Sequence, residues 1–423
     1  MSMKNPISSS STKVTNSKNL HSNEPQPLSN MKKVTTGLER LLAAPKKYIK
    51  GKRVGLLVNH TSVAEDGLPS FIHLDRHTDF QLVKLFAPEH GLYGVDQDMV
   101  NVDHSSEPAT GVPVVSLYGK DHASLTPEAG LMKNIDTLVF DIQDIGSRYY
   151  TFIYTLANCM QTCKKAGVPI VVCDRPNPIN GIQVEGNLVK EGWHSFVGQY
   201  SLPNRHGMTV GELAKWFNDE LEIGCDLTVV PMKGWKRKMW YDETGLLWVS
   251  PSPNMPRVST ATVYPGMCLI EGTQLSEGRG TTFPFEFCGA PGIDAHRLSE
   301  ALNDENLPGV LFRPQYFKPG FQKHAGKTCS GVQMHVTDRD TFKPLVTGIA
   351  VIRAIAHLFP KIFKWRTEPY EFVSDRPAID LLYGHPEFRE TLIPGNHDLS
   401  EIEASWKSDL EGFQTVRQKY LLY

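Results

Sequence analysis

A glutamate that directly follows an apolar run and a proline is well placed to protonate a leaving group. Glu89, in Phe86-Ala87-Pro88-Glu89-His90-Gly91, is such a residue. A glycosidic oxygen leaves poorly unless it is protonated as its bond breaks. A carboxyl kept partly protonated by an apolar setting can supply that proton. Pro88 stiffens the backbone ahead of it and removes a competing donor. The simpler alternative is that Glu89 favours the start of a following helix, as acidic side chains do.

Further candidates end other apolar runs. Asp141 and Asp144 stand three apart before Gly146-Ser147-Arg148-Tyr149-Tyr150. Either aspartate suits orienting a sugar hydroxyl, holding a metal, or capping a helix that begins near Arg148. Arg148 and Arg175 suit a bidentate grip on a ligand carboxylate. An internal ion pair with Asp141 or Asp174 is the alternative. His206 fits a ligand contact or a hydrogen-bonded structural histidine. Trp193, Trp235 and Trp240 are able to stack on sugars, although isolated tryptophans more often pack.

The elements that must position these groups are legible as alternating patterns. Apolar runs at Arg53–Val58, Phe80–Phe86, Pro113–Leu117, Thr137–Phe140 and Pro169–Cys173 read as short strands, most closing on polar clusters such as Asn59-His60-Thr61. Between them apolar residues recur at three and four, most clearly over Tyr149–Ala166, with Gly167 as the left-handed stop. Thr209 and Glu212 have capping-box spacing before a helix to Leu221. Alternating strands and helices predict an α/β fold with a Rossmann-like parallel sheet, whose ligand crevice lies beyond the strand C-termini. From about Ile293 the pattern changes. A helix at Ala295–Leu302, strands at Val310–Phe317 and Ser330–Val336, a helix at Pro344–Leu358 and a helical tail predict a second, smaller α/β unit. The expected organisation is a disordered tail over 1–33, a catalytic domain over 34–290 and an auxiliary domain over 291–423.

Composition narrows the chemistry. Lys plus Arg number 44 against 46 Asp plus Glu, which argues against a nucleic-acid binder tracking a backbone. No Gly-x-Gly-x-x-Gly, P-loop or Gly-x-Ser-x-Gly signature occurs, so no cofactor is expected and a nucleotide-dependent transferase is disfavoured. The seven cysteines form no framework and read as free buried thiols, and with no further Cys or His at ligand spacing no metal is expected. The Ser-, Asn- and Pro-rich start cannot bury enough apolar surface to order itself. It shows no signal-peptide core, and no apolar run reaches membrane-spanning length. As written, the chain is expected to be cytoplasmic.

The motifs around these candidates form an ordered set. It comprises Phe86–Gly91, Asp141–Thr151, Asp174-Arg175-Pro176-Asn177-Pro178, Ser252-Pro253-Asn254-Met255-Pro256, Tyr264-Pro265-Gly266 and Glu271–Thr281. From about Gly37 to the C-terminus the chain resembles the exo-β-N-acetylmuramidase family. The resemblance implies a Rossmann-like domain, an auxiliary domain and an active site in the cleft between them. It also implies removal of N-acetylmuramic acid from the non-reducing end of peptidoglycan fragments. Its catalytic glutamate falls on Glu89, with Asp141 as the second candidate. His90, Asp144, Arg148, Tyr149, Asp174, Arg175, Asn177, Asn254, Glu277 and Arg279 are carried over from these motifs as site-lining positions, and Asn59 and His206, outside them, are candidates from the residues alone. Gln274 stands where relatives are expected to have asparagine. Many relatives carry an export signal, so an extracytoplasmic location is the alternative. A sugar-binding or sensing protein on the same scaffold is the competing function, and such a binder would tolerate Glu89→Gln.

Overall fold

Alternation along the strands builds two cores at once. In β1 (Arg53–Val58), Val54, Leu56 and Val58 join a cluster on one face while Leu57 joins a larger cluster on the other. β5 (Thr137–Asp141) and β6 (Ile170–Cys173) divide in the same way. Leu138, Phe140, Ile170 and Val172 point to the larger cluster, and Val139, Val171 and Cys173 to the smaller. Strands buried on both faces are what a parallel sheet covered by helices requires. The computed structural model describes residues 33–95, 105–119 and 122–423, and these form one compact unit. The tail predicted over 1–33 lies, apart from Lys33, outside the described residues.

The first sheet also contains β2 (Gln81–Ala87), β3 (Ser105–Ser106), β4 (Pro113–Ser116) and β7 (Leu227–Val230), in the order β3-β4-β2-β1-β5-β6-β7. Six strands pair in parallel, and only the short edge strand β3 runs antiparallel to its neighbour. From β1 the chain moves outward to β2 and β4, then returns to β5 on the other side. Strand order therefore reverses about β1, and a crevice opens beyond the C-terminal ends there. The second sheet is antiparallel, with β8 (Phe287–Ala290), β9 (Val310–Phe317) and β10 (Cys329–Val336) in the order β8-β10-β9.

Local signals explain the main helices. Thr209 and Glu212 form the expected reciprocal cap at the start of Val210–Glu220, with bonds of 3.3 and 3.0 Å. Gly167 ends Phe152–Ala166 in the left-handed conformation, φ 68°. That helix begins three residues later than its apolar spacing suggests, because Tyr149–Thr151 turn toward the crevice. Val258–Met267 is a helix despite Pro265, and it tightens into a 3₁₀ turn over Cys268–Gly272. It crosses Pro344–Leu358 so closely that a Cβ on Gly266 would sit 1.8 Å from the Pro344 carbonyl oxygen. One continuous apolar cluster runs from the first sheet through this crossing to the second sheet. All seven cysteines are free and buried. Among the described residues no helix is long and apolar enough to cross a membrane.

Candidate active site

The turn after β2 delivers Glu89. Gly91 donates its N–H to the Pro88 carbonyl at 3.1 Å, closing a turn around Glu89 and His90. His90 occupies the left-handed region, φ 69°, where glycine or asparagine is usual, at a cost of order 1–3 kcal/mol. The fold holds this strain beside a carboxylate rather than in a neutral loop. Thr151 stands at the N-cap of Phe152–Ala166, yet its hydroxyl makes no capping bond. It donates instead to Glu89 Oε2 at 3.0 Å and so fixes the rotation of the carboxyl. His60 is tied to the Ser250 carbonyl; burial, and to a lesser degree His90, hold its imidazole below the usual value.

A cleft opens over Glu89, and tyrosines and phenylalanines form much of its wall. Tyr264 meets Tyr149, Tyr150 and Phe285 edge-on, with ring centroids 6.4, 5.9 and 4.7 Å apart. Burial raises the Tyr150 and Tyr264 phenols well above their ordinary range, so both enter the cleft as neutral hydroxyls. Arg279 lies 4.9 Å above the Phe285 ring and reaches Glu271 at 2.6 Å and Glu277 at 3.4 Å. Tyr370 donates its hydroxyl to the other Glu271 oxygen at 2.7 Å. Lys323 holds Glu277 at 2.9 Å. Burial opposes ionisation of Glu277, but Lys323 and Arg279 outweigh it and keep the carboxyl below its usual value.

Of the positions anticipated from sequence, Glu89, His90, Tyr149, Asn254 and Arg279 line this cleft, and Glu277 backs Arg279. The others do not line it. Asp141, at the end of β5, is fully buried, and Arg175 Nε and Nη2 donate to its two oxygens at 2.6 and 2.9 Å. Of the two ion pairs open to Arg175, the structure adopts the one with Asp141. Arg148 is equally enclosed. Its guanidinium donates to the Asn187 and Leu202 carbonyls at 2.7 and 2.8 Å, and to those of Leu382 and Tyr383 at 2.8 and 3.1 Å. Asp144 Oδ2 accepts the Gly146 N–H at 2.7 Å and lies 3.5 Å from His206 Nε2, so it shapes a turn and caps no helix. His206 Nδ1 accepts the Met208 N–H at 3.1 Å.

Asp174 accepts the Gly211 N–H, the Thr209 hydroxyl and the Tyr423 hydroxyl at 2.7, 2.8 and 2.7 Å. Burial, with Glu212 adding repulsion, pushes its carboxyl up to about 7. Asn177 accepts the Ile179 N–H and donates to the Met208 carbonyl, while Asn59 accepts both the N–H and the hydroxyl of Thr61. The tryptophans also pack: Trp240 is buried with its indole N–H on Asp340, and neither Trp193 nor Trp235 lines the cleft.

Among the cleft residues that sequence reading did not single out are Tyr264, Glu271, Tyr370 and Glu371. The first two lie inside recognised motifs, where a search for polar groups beside Arg279 would have found them. Tyr370 and Glu371 sit in a segment read as helical tail. That segment forms a hairpin here, and helix resumes only at Ala378–Tyr383.

Comparison with known proteins agrees with this architecture. Models of the N- and C-terminal parts of the exo-β-N-acetylmuramidase NamZ match residues 54–259 and 262–423. The chain is 48% identical over 391 residues to the peptidoglycan β-N-acetylmuramidase NamZ of Bacillus subtilis strain 168, covering 92% of each chain. A crystal structure of a DUF1343 family protein from Bacteroides fragilis superposes with TM-score 0.83 at 36% identity, covering 92% of this chain and 99% of that one. A second from the same organism gives 0.72 at 31% identity with the same coverage. With nearly its whole described length matched, the chain belongs to the exo-β-N-acetylmuramidase family.

Proposed function

We infer that this protein is a glycoside hydrolase that removes N-acetylmuramic acid from the non-reducing end of peptidoglycan fragments, with Glu89 as its general acid. The observation that carries the reading is the placement of Glu89. It sits in the turn after β2, the strand next to the point where sheet order reverses, it is oriented by Thr151, and it opens into a cleft walled by aromatics. Such walls suit the apolar face of a sugar ring, and a fixed carboxyl can meet the glycosidic oxygen. Arg279, alone among the three arginines considered, lines the cleft, which supports it as the partner of the lactyl carboxylate that distinguishes muramic acid from glucosamine. Asp141 and Arg175 then serve as a buried brace under the strand ends.

The test is turnover of para-nitrophenyl β-N-acetylmuramide beside the glucosaminide. Wild type is expected to cleave the muramide, and Glu89→Gln to lose ~10²-fold or more in kcat with folding unchanged. A Glu89→Gln enzyme at native speed refutes the assignment of the acid.

A further inference from the structure

The hairpin tip at Tyr370–Val373 carries two residues poorly suited to its backbone. Tyr370 and Val373 exchange both backbone hydrogen bonds, at 2.9 and 3.0 Å, so Glu371 and Phe372 form the entire loop. Both have positive φ, 46° and 68°. Such two-residue loops ordinarily use Asn-Gly or Asp-Gly, and other L-residues there cost roughly 1 kcal/mol each or more. The side chains account for the choice. Phe372 packs on Tyr118 and Phe196, with ring centroids 5.6 and 6.1 Å apart. Glu371 is only 8% exposed and lines the cleft that holds Glu89.

Tyr118 lies just beyond β4, the strand paired with β2, and its hydroxyl donates to Glu371 Oε2 at 3.3 Å. Two carboxylates thus line one cleft from distant parts of the chain, and each receives a hydroxyl: Glu89 from Thr151, Glu371 from Tyr118. The third, Glu271, is bound to Arg279 and the Tyr370 hydroxyl, which suits it to anchoring that arginine.

We propose that Glu371 is the second catalytic carboxylate, an anion facing the positive charge that grows on the anomeric carbon as the glycosidic bond breaks. This rests on the muramidase reading above. In that reaction the bond between the anomeric carbon and the glycosidic oxygen breaks, and its electron pair passes to the oxygen, which takes the Glu89 proton. Water gives its hydroxyl to the anomeric carbon, and its remaining proton restores Glu89. An oxocarbenium-like centre enclosed by aromatic walls needs a fixed negative partner, and a two-residue turn whose Phe372 ring meets Tyr118 and Phe196 and whose carboxylate accepts the Tyr118 hydroxyl supplies one.

The test exploits the backbone. Asp and Asn both tolerate the left-handed conformation and have one shape, so Glu371→Asp and Glu371→Asn differ in charge alone. Both variants are expected to melt at or above the wild-type temperature. On the para-nitrophenyl muramide, Glu371→Asn should lose ~10²-fold in kcat with KM within about threefold, and Glu371→Asp should exceed it by about tenfold. Glu371→Gln, which keeps the side-chain length, should match the loss in Glu371→Asn. Equal turnover of the Asp and Asn variants, or a Gln variant within about threefold of wild type, overturns the proposal while wild type still turns over. A wild-type enzyme inactive on the muramide removes the muramidase reading itself, and this proposal with it.

Discussion

Arg148 lies in a motif that invites a substrate role, yet its surroundings predict a different result for its removal. Its two terminal nitrogens donate to four carbonyls, at 2.7, 2.8, 2.8 and 3.1 Å, and the side chain is inaccessible to solvent. Bonds to a charged donor contribute about 1.5–3 kcal/mol each, so four amount to roughly 6–12 kcal/mol gross. Burying the cation costs several kcal/mol in return, which Arg148→Met relieves. The net loss for Arg148→Met is therefore about 3–5 kcal/mol, and Arg148→Lys, which can reach only part of the carbonyl set, should lose about half of that. Urea unfolding followed by tryptophan fluorescence measures both. Turnover of the fraction that remains folded should keep the wild-type ratio of muramide to glucosaminide. A Met variant within about 1 kcal/mol of wild type, with that ratio collapsed, would show that the guanidinium serves the ligand instead.

Arg279→Met is expected to cut the ratio of kcat/KM for muramide over glucosaminide by about 10- to 100-fold, the value of one charge-assisted contact, while Arg279→Lys falls between. An unchanged ratio in both variants assigns the lactyl group to neutral donors. Asp174 makes stability depend on pH. Burial and Glu212 raise its folded carboxyl to about 7, above its unfolded value, so its contribution is complete at low pH and is lost as pH rises toward 7. The cost of Asp174→Asn in urea unfolding should therefore shrink by roughly 2–3 kcal/mol between pH 5 and pH 7. A cost that grows over that interval contradicts the burial argument.

Much of the scaffold was legible because its signals are local. Thr209 and Glu212 announce a helix start from four residues of sequence, Gly167 announces a stop, and the apolar runs at 53–58 and 137–140 carry their own burial. Glu89 was legible for the same reason, as a carboxylate at a strand end. The division of labour among the arginines was not. Arg148, Arg175 and Arg279 look alike in their motifs, but Arg148 and Arg175 are drawn inward by partners 34 to 235 residues away, whereas Arg279 is held by Glu271 and Glu277 of its own motif. Pro265 hid a helix that tertiary packing sustains. Glu371 and Phe372 hid a tight turn, because neither residue type advertises positive φ and the usual Asn-Gly mark is missing.

The cleft also has an order of assembly. Glu89 and Thr151 are synthesised early, but the wall facing them comes from Tyr264, Glu271 and Arg279, and the last pieces, Tyr370 and Glu371, lie near the end of the chain. Contacts of such long sequence separation form late, since each closes a long loop before it is rewarded. A growing chain that has not yet reached Tyr370 therefore carries its acid without the enclosure that makes it an enzyme. Hydrolytic capacity is thus expected to arrive in a single step, when roughly the final eighth of the polypeptide docks.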